Sequence, residues 1–414
     1  MGIVIAYMAA IQLGLGALSA TPFLYHRYKI GKWLMSAPPL SIPNVNESLL
    51  PQMSLVLPLW NEELVVERKL ADIAKQEYPN DKLQLIIIDS ASTDSTLSLV
   101  EEWLKTIPKQ YLDVKVIKMP SRQGKTAAIQ KAFLSADIGS EVFAMTDADA
   151  MLNEGALLRM GAWFTNDEIG AVGGIPQRFS VNETRYSENE SRYRDLFSMQ
   201  RLAESMIDST PFLEGSIMGI KSSIFNEETL NVYANADDAQ LAIAARIAGY
   251  RSIIDKGMSF IEPIPPTRQE YMQQKVRRAQ GLQRLLFKWR KKAVGKKAGL
   301  KQYSSILKWL GFMHIEVPWM VTVGSLLAIL KWALVIISQS TNPFILATMV
   351  LDVIVYGGWL TRIAGLKIPG TELIATFMDS MYALLKSQLL LLRGKSLHLW
   401  PQGKGVREAW AKEK

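Results

Sequence analysis

Long apolar segments near both ends constrain this chain more than any other feature of its sequence. The segment Gly2–Leu24 is almost wholly apolar, and residues 312–338 and 344–363 form two further apolar runs. As a helix, each run is about long enough to cross the hydrocarbon core of a bilayer, which needs about 20 residues. We therefore predict three membrane spans and a separate, water-exposed domain between the first span and the other two.

Basic residues lie at one end of the first apolar segment. The positions that directly follow it include His26, Arg27, Lys29 and Lys32. Since Lys and Arg collect on the cytoplasmic side of a membrane, we predict a multi-pass cell-membrane protein whose N-terminus is outside and whose large domain is cytoplasmic. No basic stretch precedes Gly2–Leu24 and no cleavage pattern follows it, which favours a retained anchor over a signal peptide.

The predicted spans divide the chain into five parts. These are an anchor at residues 1–35, a proline-rich linker at 36–51, a cytoplasmic domain at 52–300, two spans at 301–365 and a last part at 366–414. The last part begins with residues 372–392, which are apolar but include Glu372, Asp379 and Lys386. This composition is typical of an amphipathic helix at a membrane interface. A basic cytoplasmic tail follows it.

Composition excludes several kinds of site. The chain has no cysteine and three histidines, which excludes disulfides and thiolate metal sites and argues against a multi-histidine zinc site. Its net charge is +8, and basic residues are concentrated in residues 268–297. Such a run is a solvated basic face, or it binds either nucleic acid or the anionic headgroups of a membrane. Because membrane spans flank it, we predict membrane lipids as a partner and no nucleic acid.

The cytoplasmic domain shows strands that alternate with helices. Apolar runs predict strands at residues 53–57, 83–88, 114–119 and 141–145, and helical periodicity predicts helices at 62–76, 95–107, 125–135 and 151–164. Such alternation predicts an α/β domain with a parallel sheet flanked by helices. Further along, residues 171–175 are a strand candidate, and residues 212–220 are a glycine-interrupted strand or loop. Asn235–Asp238 is predicted to open a helix that continues through Ile247.

Two acids follow the fourth strand. Asp147 and Asp149 are two positions apart directly after the apolar run Val142–Met145, so in an extended chain they point the same way. Open α/β sheets bind ligands at the carboxyl ends of their strands, and two carboxylates suit a divalent cation with oxygen ligands. The other interpretation is an acidic turn that closes a strand.

Seven short motifs follow one another along the domain: Ser54–Glu62, Ile87–Asp94, Gln123–Ala128, Thr146–Asp149, Gly215–Ser216, Ala236–Asp238 and Gln274–Arg278. In this order they resemble the motifs of family two glycosyltransferases, which are membrane-anchored enzymes with the nucleotide-sugar-binding fold called GT-A. The fourth matches the DxD motif of that family, and the last is similar to the QxxRW of its processive members. The resemblance covers about residues 52–290 and implies a GT-A-type mixed, mostly parallel sheet flanked by helices.

The resemblance also implies roles for individual residues. Asp149, helped by Asp147, is expected to hold Mg²⁺ or Mn²⁺ against the donor diphosphate. The nucleotide-sugar contacts are expected from Pro58, Asn61, Glu62, Asp89, Lys125, Asp147, Asp149, Gln274, Arg277 and Arg278. The acceptor loop is expected at Gly215 and Ser216. The general base is expected to be Asp238, and Asp237 is expected to orient it or substitute for it.

Some of these side chains have a second interpretation. Lys125 is also compatible with a surface lysine after a turn. The pair Asp237 and Asp238 is also compatible with acids that favour the positive end of a helix dipole.

The function implied is metal-dependent, inverting transfer of a hexosyl group from a nucleotide-diphosphate sugar, by resemblance a UDP-sugar, to a lipid-linked or saccharide acceptor. One base and one direct displacement invert the anomeric centre, unlike the two-carboxylate retaining mechanism. The sequence carries no signal for an oligomeric state.

Two departures from the family pattern bear on polymer synthesis. Ser90 replaces a second acid often found after Asp89, and Arg278 replaces the tryptophan of QxxRW. That tryptophan stacks on the acceptor sugar in processive synthases, so its replacement argues for single transfer. Residues 385–400 are nevertheless similar to the interfacial helix and gating loop of cellulose, chitin and hyaluronan synthases. A processive polysaccharide synthase therefore stays as the alternative.

Two other classes fit less well. A nucleotidyltransferase would need a basic, glycine-rich phosphate loop early in the domain, where this chain has the acidic Glu62 and Glu63. A non-catalytic membrane scaffold would not need Asp147, Asp149 and Asp238 together.

Overall fold

The computed structural model describes the chain except for residues 108–112, 180–184, 291–299, 365, 367, 369, 400–402 and 413–414. The chain forms two compact units. One contains Met1–Lys29 and Ser305–Lys395, and the other contains Ile30–Ser304 and Ser396–Lys414. Part of the predicted basic run and Trp400 lie outside the described residues.

A mixed sheet organises the second unit. Its strands are β1 (Met53–Leu59), β2 (Leu83–Asp89), β3 (Asp113–Lys118), β4 (Val142–Thr146), β5 (Met151–Leu152), β6 (Ile169–Phe179), β7 (Ile217–Lys221) and β8 (Arg251–Pro263). Their order in the sheet is β3-β2-β1-β4-β7-β6-β8-β5. Strands β1 to β4 pair in parallel, as do β6 and β8. Strand β7 is antiparallel to both neighbours, and β5 is antiparallel to β8. The predicted mixed, mostly parallel sheet is confirmed.

Helices flank the sheet and form the first unit. They are α1 (Gly2–Ser36), α2 (Val66–Ala74), α3 (Thr96–Thr106), α4 (Lys125–Leu134), α5 (Ala156–Phe164), α6 (Arg185–Ile207), α7 (Asp237–Ile247), α8 (Arg268–Trp289), α9 (Leu300–Gly311), α10 (Val317–Ser338), α11 (Pro343–Asp352), α12 (Gly358–Ile363), α13 (Glu372–Leu392) and α14 (Lys404–Lys412). Short π-helical turns join α9 to α10 and α11 to α12.

Both faces of the central strands are buried. Leu55 and Leu57 of β1 pack in one apolar cluster, whereas Val56 between them packs in another on the opposite face. Strand β2 is buried along its whole length. A strand covered on both faces is expected to be apolar at every position, which is why the runs in β1, β2 and β4 were visible in the sequence. These strands end at one edge of the sheet, where the candidate site lies.

The first unit contains three helices that are long and apolar enough to cross a membrane. They extend over Gly2–Ser36, Gln302–Ser338 and Pro343–Ile363. Lys331 and Asp352 are fully or almost fully buried within this unit, and Lys331 Nζ lies 2.8 Å from Asp352 Oδ2. Gln12 and Thr348 also accept hydrogen bonds from Lys331, so the buried charges are paired and solvated by protein groups.

The structure differs from the sequence prediction in three places. The single helix predicted over residues 151–164 is a short strand, β5, followed by the nine-residue helix α5. The strand candidate at 171–175 is the centre of the longer β6, and the 13-residue strand β8 was not predicted. The predicted tail contains the helix α14, which groups with the second unit rather than with α13.

Candidate active site

A cleft of about 330 Å³ opens at the carboxyl ends of β1 and β4. Most of the predicted site residues line it: Pro58, Glu62, Lys125, Asp147, Asp149, Gly215, Ser216, Asp237, Asp238, Gln274, Arg277 and Arg278. They come from six separate stretches of the chain, so the structure brings together what the sequence only places in order.

Asn61 and Asp89 lie outside the described wall of this cleft and organise loops behind it. The Asn61 backbone N–H donates to Ser92 Oγ at 2.9 Å, and its side-chain oxygen accepts from the Thr93 N–H at 2.8 Å. Asp89 is buried, and its Oδ2 accepts from the Ser92 N–H at 3.1 Å. Asn61 therefore joins the loop after β1 to the loop after β2, and Asp89 stabilises the turn within the loop after β2.

The DxD carboxylates at the end of β4 each contact a cation. Lys125 Nζ lies 2.6 Å from Asp147 Oδ1, and Arg407 Nη1 lies 3.2 Å from Asp149 Oδ2. Ser216 Oγ donates to Asp147 Oδ2 at 3.4 Å, which links the acceptor-loop candidate to the DxD motif. Both Asp side chains are 26% exposed, and both line the cleft.

These two carboxylates fit a divalent metal ion that is completed by substrate. Within the described ranges, no group of three or more His, Cys, Asp and Glu side chains is arranged to hold an ion. Mg²⁺ in phosphoryl sites characteristically uses one or two carboxylates together with water and phosphate oxygens, so a third protein acid is not required. The donor set consists of oxygen atoms alone, which suits Mg²⁺ or Mn²⁺ rather than a soft metal.

Asp237 and Asp238 begin helix α7 on the other side of the cleft. The residue before them, Ala236, has φ 79° and ψ 46°, a left-handed conformation that is rare for a residue with a side chain. Asp237 is buried and its Oδ2 lies 3.6 Å from Lys125 Nζ. Lys125 therefore connects the two acidic pairs and is not a free surface lysine.

Asp238 has the protonation properties of a base that works near neutral pH. Burial raises the pKa of Asp238 to about 7, and the neighbouring Asp237 and Glu214 charges act in the same direction. Lys125 and a hydrogen bond from the Ala239 N–H, at 2.7 Å, oppose this shift. A carboxylate tuned to such a pKa can take a proton from a hydroxyl and release it at physiological pH.

Arginines of helix α8 supply positive charge opposite the acids. Arg277 and Arg278 both line the cleft, one turn after Gln274. Burial and the adjacent Arg278 lower the pKa of Arg277, while Asp147 and Asp237 raise it. The guanidinium stays charged in any case, because its ordinary pKa lies far above physiological pH.

Sequence reasoning missed several cleft residues. Arg407 of α14 donates to both oxygens of Glu62, with Nη2–Oε1 at 2.9 Å and Nε–Oε2 at 3.0 Å. The guanidinium of Arg122 lies 3.3 Å above the ring centroid of Trp60, and both line the cleft. Among these elements, only α14 could have been predicted from the sequence, because Val406 and Trp410 have the spacing of apolar residues on one face of a helix.

Comparisons with known proteins place the chain in one superfamily of enzymes. Residues 54–228 match the family model described as Glycosyl transferase family 2. Residues 142–359, more than half of the chain, match the model described as Glycosyl transferase family group 2.

The similar curated proteins are glycosyltransferases. A probable glycosyltransferase of Bacillus subtilis is 26% identical over 262 residues, which are 60% of this chain and 60% of that protein. A beta-monoglucosyldiacylglycerol synthase of Nostoc is 30% identical over 125 residues, which are 30% of this chain and 25% of that protein. The matched part therefore spans less than two thirds of each relative.

One solved structure resembles nearly the whole chain. It is a mannosyltransferase from Pyrobaculum calidifontis in complex with GDP-Man and Mn²⁺. The TM-score is 0.74 at 24% identity, and the similarity covers 94% of this chain and 100% of the other. At this identity the similarity shows the fold, which is the GT-A fold that the sequence motifs predicted.

Proposed function

The chain belongs to glycosyl transferase family group 2, and we propose that it is a membrane-bound, metal-dependent, inverting hexosyltransferase. Its donor is a nucleotide-diphosphate sugar, a UDP-sugar in our proposal, and its acceptor is lipid-linked or a saccharide. The observation that carries the proposal is that Asp149, Asp238 and Arg277 line one cleft. Sugar transfer from a nucleotide diphosphate needs groups that neutralise the charge of the leaving diphosphate and a base that takes the proton of the acceptor hydroxyl.

The donor diphosphate is assigned to the side of the cleft that contains the DxD motif. Asp147 and Asp149 would hold Mg²⁺ or Mn²⁺, which when bound acts as a Lewis acid on the diphosphate. Arg277 and Arg278 bind the same phosphates through charge-assisted hydrogen bonds. Trp60 offers an aromatic face within the same cleft on which a planar base can stack.

The acceptor is assigned to the side that contains Asp238 and the Gly215–Ser216 loop. Asp238 takes the proton of the acceptor hydroxyl while that oxygen forms a bond to the anomeric carbon. The bond from this carbon to the phosphate oxygen breaks, and its electron pair leaves with the nucleoside diphosphate. Gly215 leaves room for this arrangement, since a Cβ there would lie 3.1 Å from Lys125 Nζ.

A lipid-linked acceptor is favoured by two features. The relative from Nostoc is named for the transfer of glucose to diacylglycerol. The chain also has three helices able to cross a membrane. A processive synthase stays the second candidate on the similarity of residues 385–400 alone, and a ladder of long products from labelled donor would establish it.

A donor screen tests the proposal. Purified full-length protein is given UDP- and GDP-sugars with Mg²⁺ or Mn²⁺, and released nucleoside diphosphate is measured with and without membrane lipid. We expect turnover of one donor, stimulated by lipid and lost in Asp149→Ala. Asp137→Ala is the matched control, because Asp137 is exposed and outside the cleft. Full turnover by Asp149→Ala would refute the assigned site.

The proposed topology is testable because the chain has no cysteine. Single cysteines at Asn342, between the second and third spans, and at Asp137, in the catalytic domain, each give one label site. We expect a membrane-impermeant maleimide to label Asn342→Cys in intact cells and Asp137→Cys only after lysis. The opposite pattern would invert the topology, with the catalytic domain outside.

A further inference from the structure

Helix α14 is a fixed part of the catalytic unit. Trp410 is buried in the main apolar cluster, and its Nε1–H donates to the Asp149 carbonyl oxygen at 2.8 Å. Arg68 stacks over the Trp410 ring at 4.3 Å. A Cβ at Gly405 would lie 2.3 Å from Pro266 Cγ, so α14 packs against the loop before α8 at a distance that leaves no room for a side chain at this position. The helix therefore holds its side chains at defined positions in the cleft.

Arg407 uses two different edges of its guanidinium. The edge formed by Nε and Nη2 binds both oxygens of Glu62, as a fork on a carboxylate. The remaining nitrogen, Nη1, lies 3.2 Å from Asp149 Oδ2 and also donates to the Gly403 carbonyl oxygen at 3.4 Å. Because the contacts are on separate edges, Nη1 can change partner while Glu62 keeps the guanidinium in place.

We propose that Arg407 occupies the cation position on Asp149 while the donor site is empty, and that it binds the donor diphosphate once a divalent ion takes Asp149. The inference rests on the proposed function. A divalent ion on Asp149 Oδ2 would repel the Arg407 guanidinium at this short range, so an ion bound to that oxygen displaces Nη1 from it. One N–H of Nη1 then needs a new acceptor next to Asp149, while the other keeps the Gly403 carbonyl oxygen. Arg407 is thereby a donor-binding residue in addition to Arg277 and Arg278.

The proposal predicts effects of opposite sign on two ligands. In Arg407→Met, Mn²⁺ binding without nucleotide should tighten about tenfold, because a charge-assisted contact no longer competes for Asp149. Binding of UDP or GDP at saturating Mn²⁺ should weaken about tenfold, because a phosphate contact is lost. Free Mn²⁺ is measured by electron paramagnetic resonance, and nucleotide binding by calorimetry, on full-length protein in detergent.

A control separates the guanidinium from the docking of α14. Arg68→Met removes the stack on Trp410 and leaves Arg407 and the acids in place. We expect this variant to bind Mn²⁺ within about twofold of the wild type, a margin below half a kcal/mol.

Three results would overturn the inference. The first is wild-type Mn²⁺ affinity in Arg407→Met, and the second is an equal change in Arg68→Met, which would indicate helix docking. The third is an absence of Mn²⁺ binding in both the wild type and Arg407→Met, since no metal would then compete with Arg407. Turnover in the donor screen tests the proposed function separately, because a divalent ion that binds only together with the donor still supports turnover when the protein alone binds none.

Discussion

Replacing Asp238 with asparagine removes the proposed base and preserves the size of the side chain. A positioned general base contributes about 10²- to 10⁴-fold to rate, so we expect kcat of Asp238→Asn to fall within that range. Nucleotide and Mn²⁺ affinity should stay near the wild-type values, because the contacts of Asp147, Asp149 and Arg277 are unchanged. Nucleoside-diphosphate release, measured with the donor found in the screen, reports the rate.

The pH dependence gives the sharper test. Since burial raises the pKa of Asp238 to about 7, kcat/KM should reach a plateau above that pH and fall about tenfold at pH 6. In Asp238→Asn the residual kcat/KM should not show this fall below pH 7. In Asp237→Asn the fall in kcat/KM should occur at lower pH, because the Asp237 charge is one cause of the raised pKa of Asp238. A wild-type profile without an inflection between pH 6 and 8 would refute the assignment, as would an Asp238→Asn variant with more than a tenth of the activity.

The raised pKa of Asp238 also makes the stability of the protein depend on pH, in a direction that can be predicted. A carboxyl group with a raised pKa in the folded state stabilises the protein below its unfolded pKa, near 4, and loses this contribution as pH rises through about 7. Asp238→Asn should therefore raise the unfolding temperature at pH 8 relative to the wild type. At pH 4 this gain should be absent. A gain of the same size at both pH values would mean that the substitution acts through packing.

Three further substitutions test the packing around the site and within the first unit. Ala236→Gly should raise Tm, because a left-handed conformation costs a non-glycine residue about 1–2 kcal/mol, and thermal unfolding checks this. Gly405→Ala should displace α14 from Pro266 and weaken nucleotide binding, as measured by calorimetry. Unchanged binding would show that the loop around Pro266 moves to accommodate the added methyl group. Lys331→Met should cost about 3–5 kcal/mol by leaving Asp352 buried without its charge partner; adding Asp352→Leu should recover most of it, and failure to recover would mean that shape, not charge, was lost.

The sequence predicted the parts of the fold that depend on short-range patterns. The apolar runs in β1, β2 and β4 are visible because both faces of these strands are buried, and the acids after β4 follow such a run directly. The order of the motifs was recognised through their resemblance to those of family two glycosyltransferases. What spacing could not give was contact, such as that between Lys125 and Asp237, which lie on different helices.

Strand β8 was missed because its centre does not look like a strand. Asp255 is followed by a lysine and a glycine that interrupt the apolar run. In the structure Asp255 is buried and accepts a hydrogen bond from Trp163 Nε1 at 2.7 Å, and Arg159 of the same helix pairs with it. The charge is therefore satisfied by residues about 90 positions away, which no local pattern can indicate.

The ion pair between Arg407 and Glu62 joins residues 345 positions apart, and this separation sets an order of events during synthesis. The second and third candidate spans lie between the two residues and must be translated before the pair can form. A nascent chain can fold β1 to β4 early, since domains fold as they emerge from the ribosome. It still lacks Arg407, so we expect the donor cleft to be completed only after the last helix has been made.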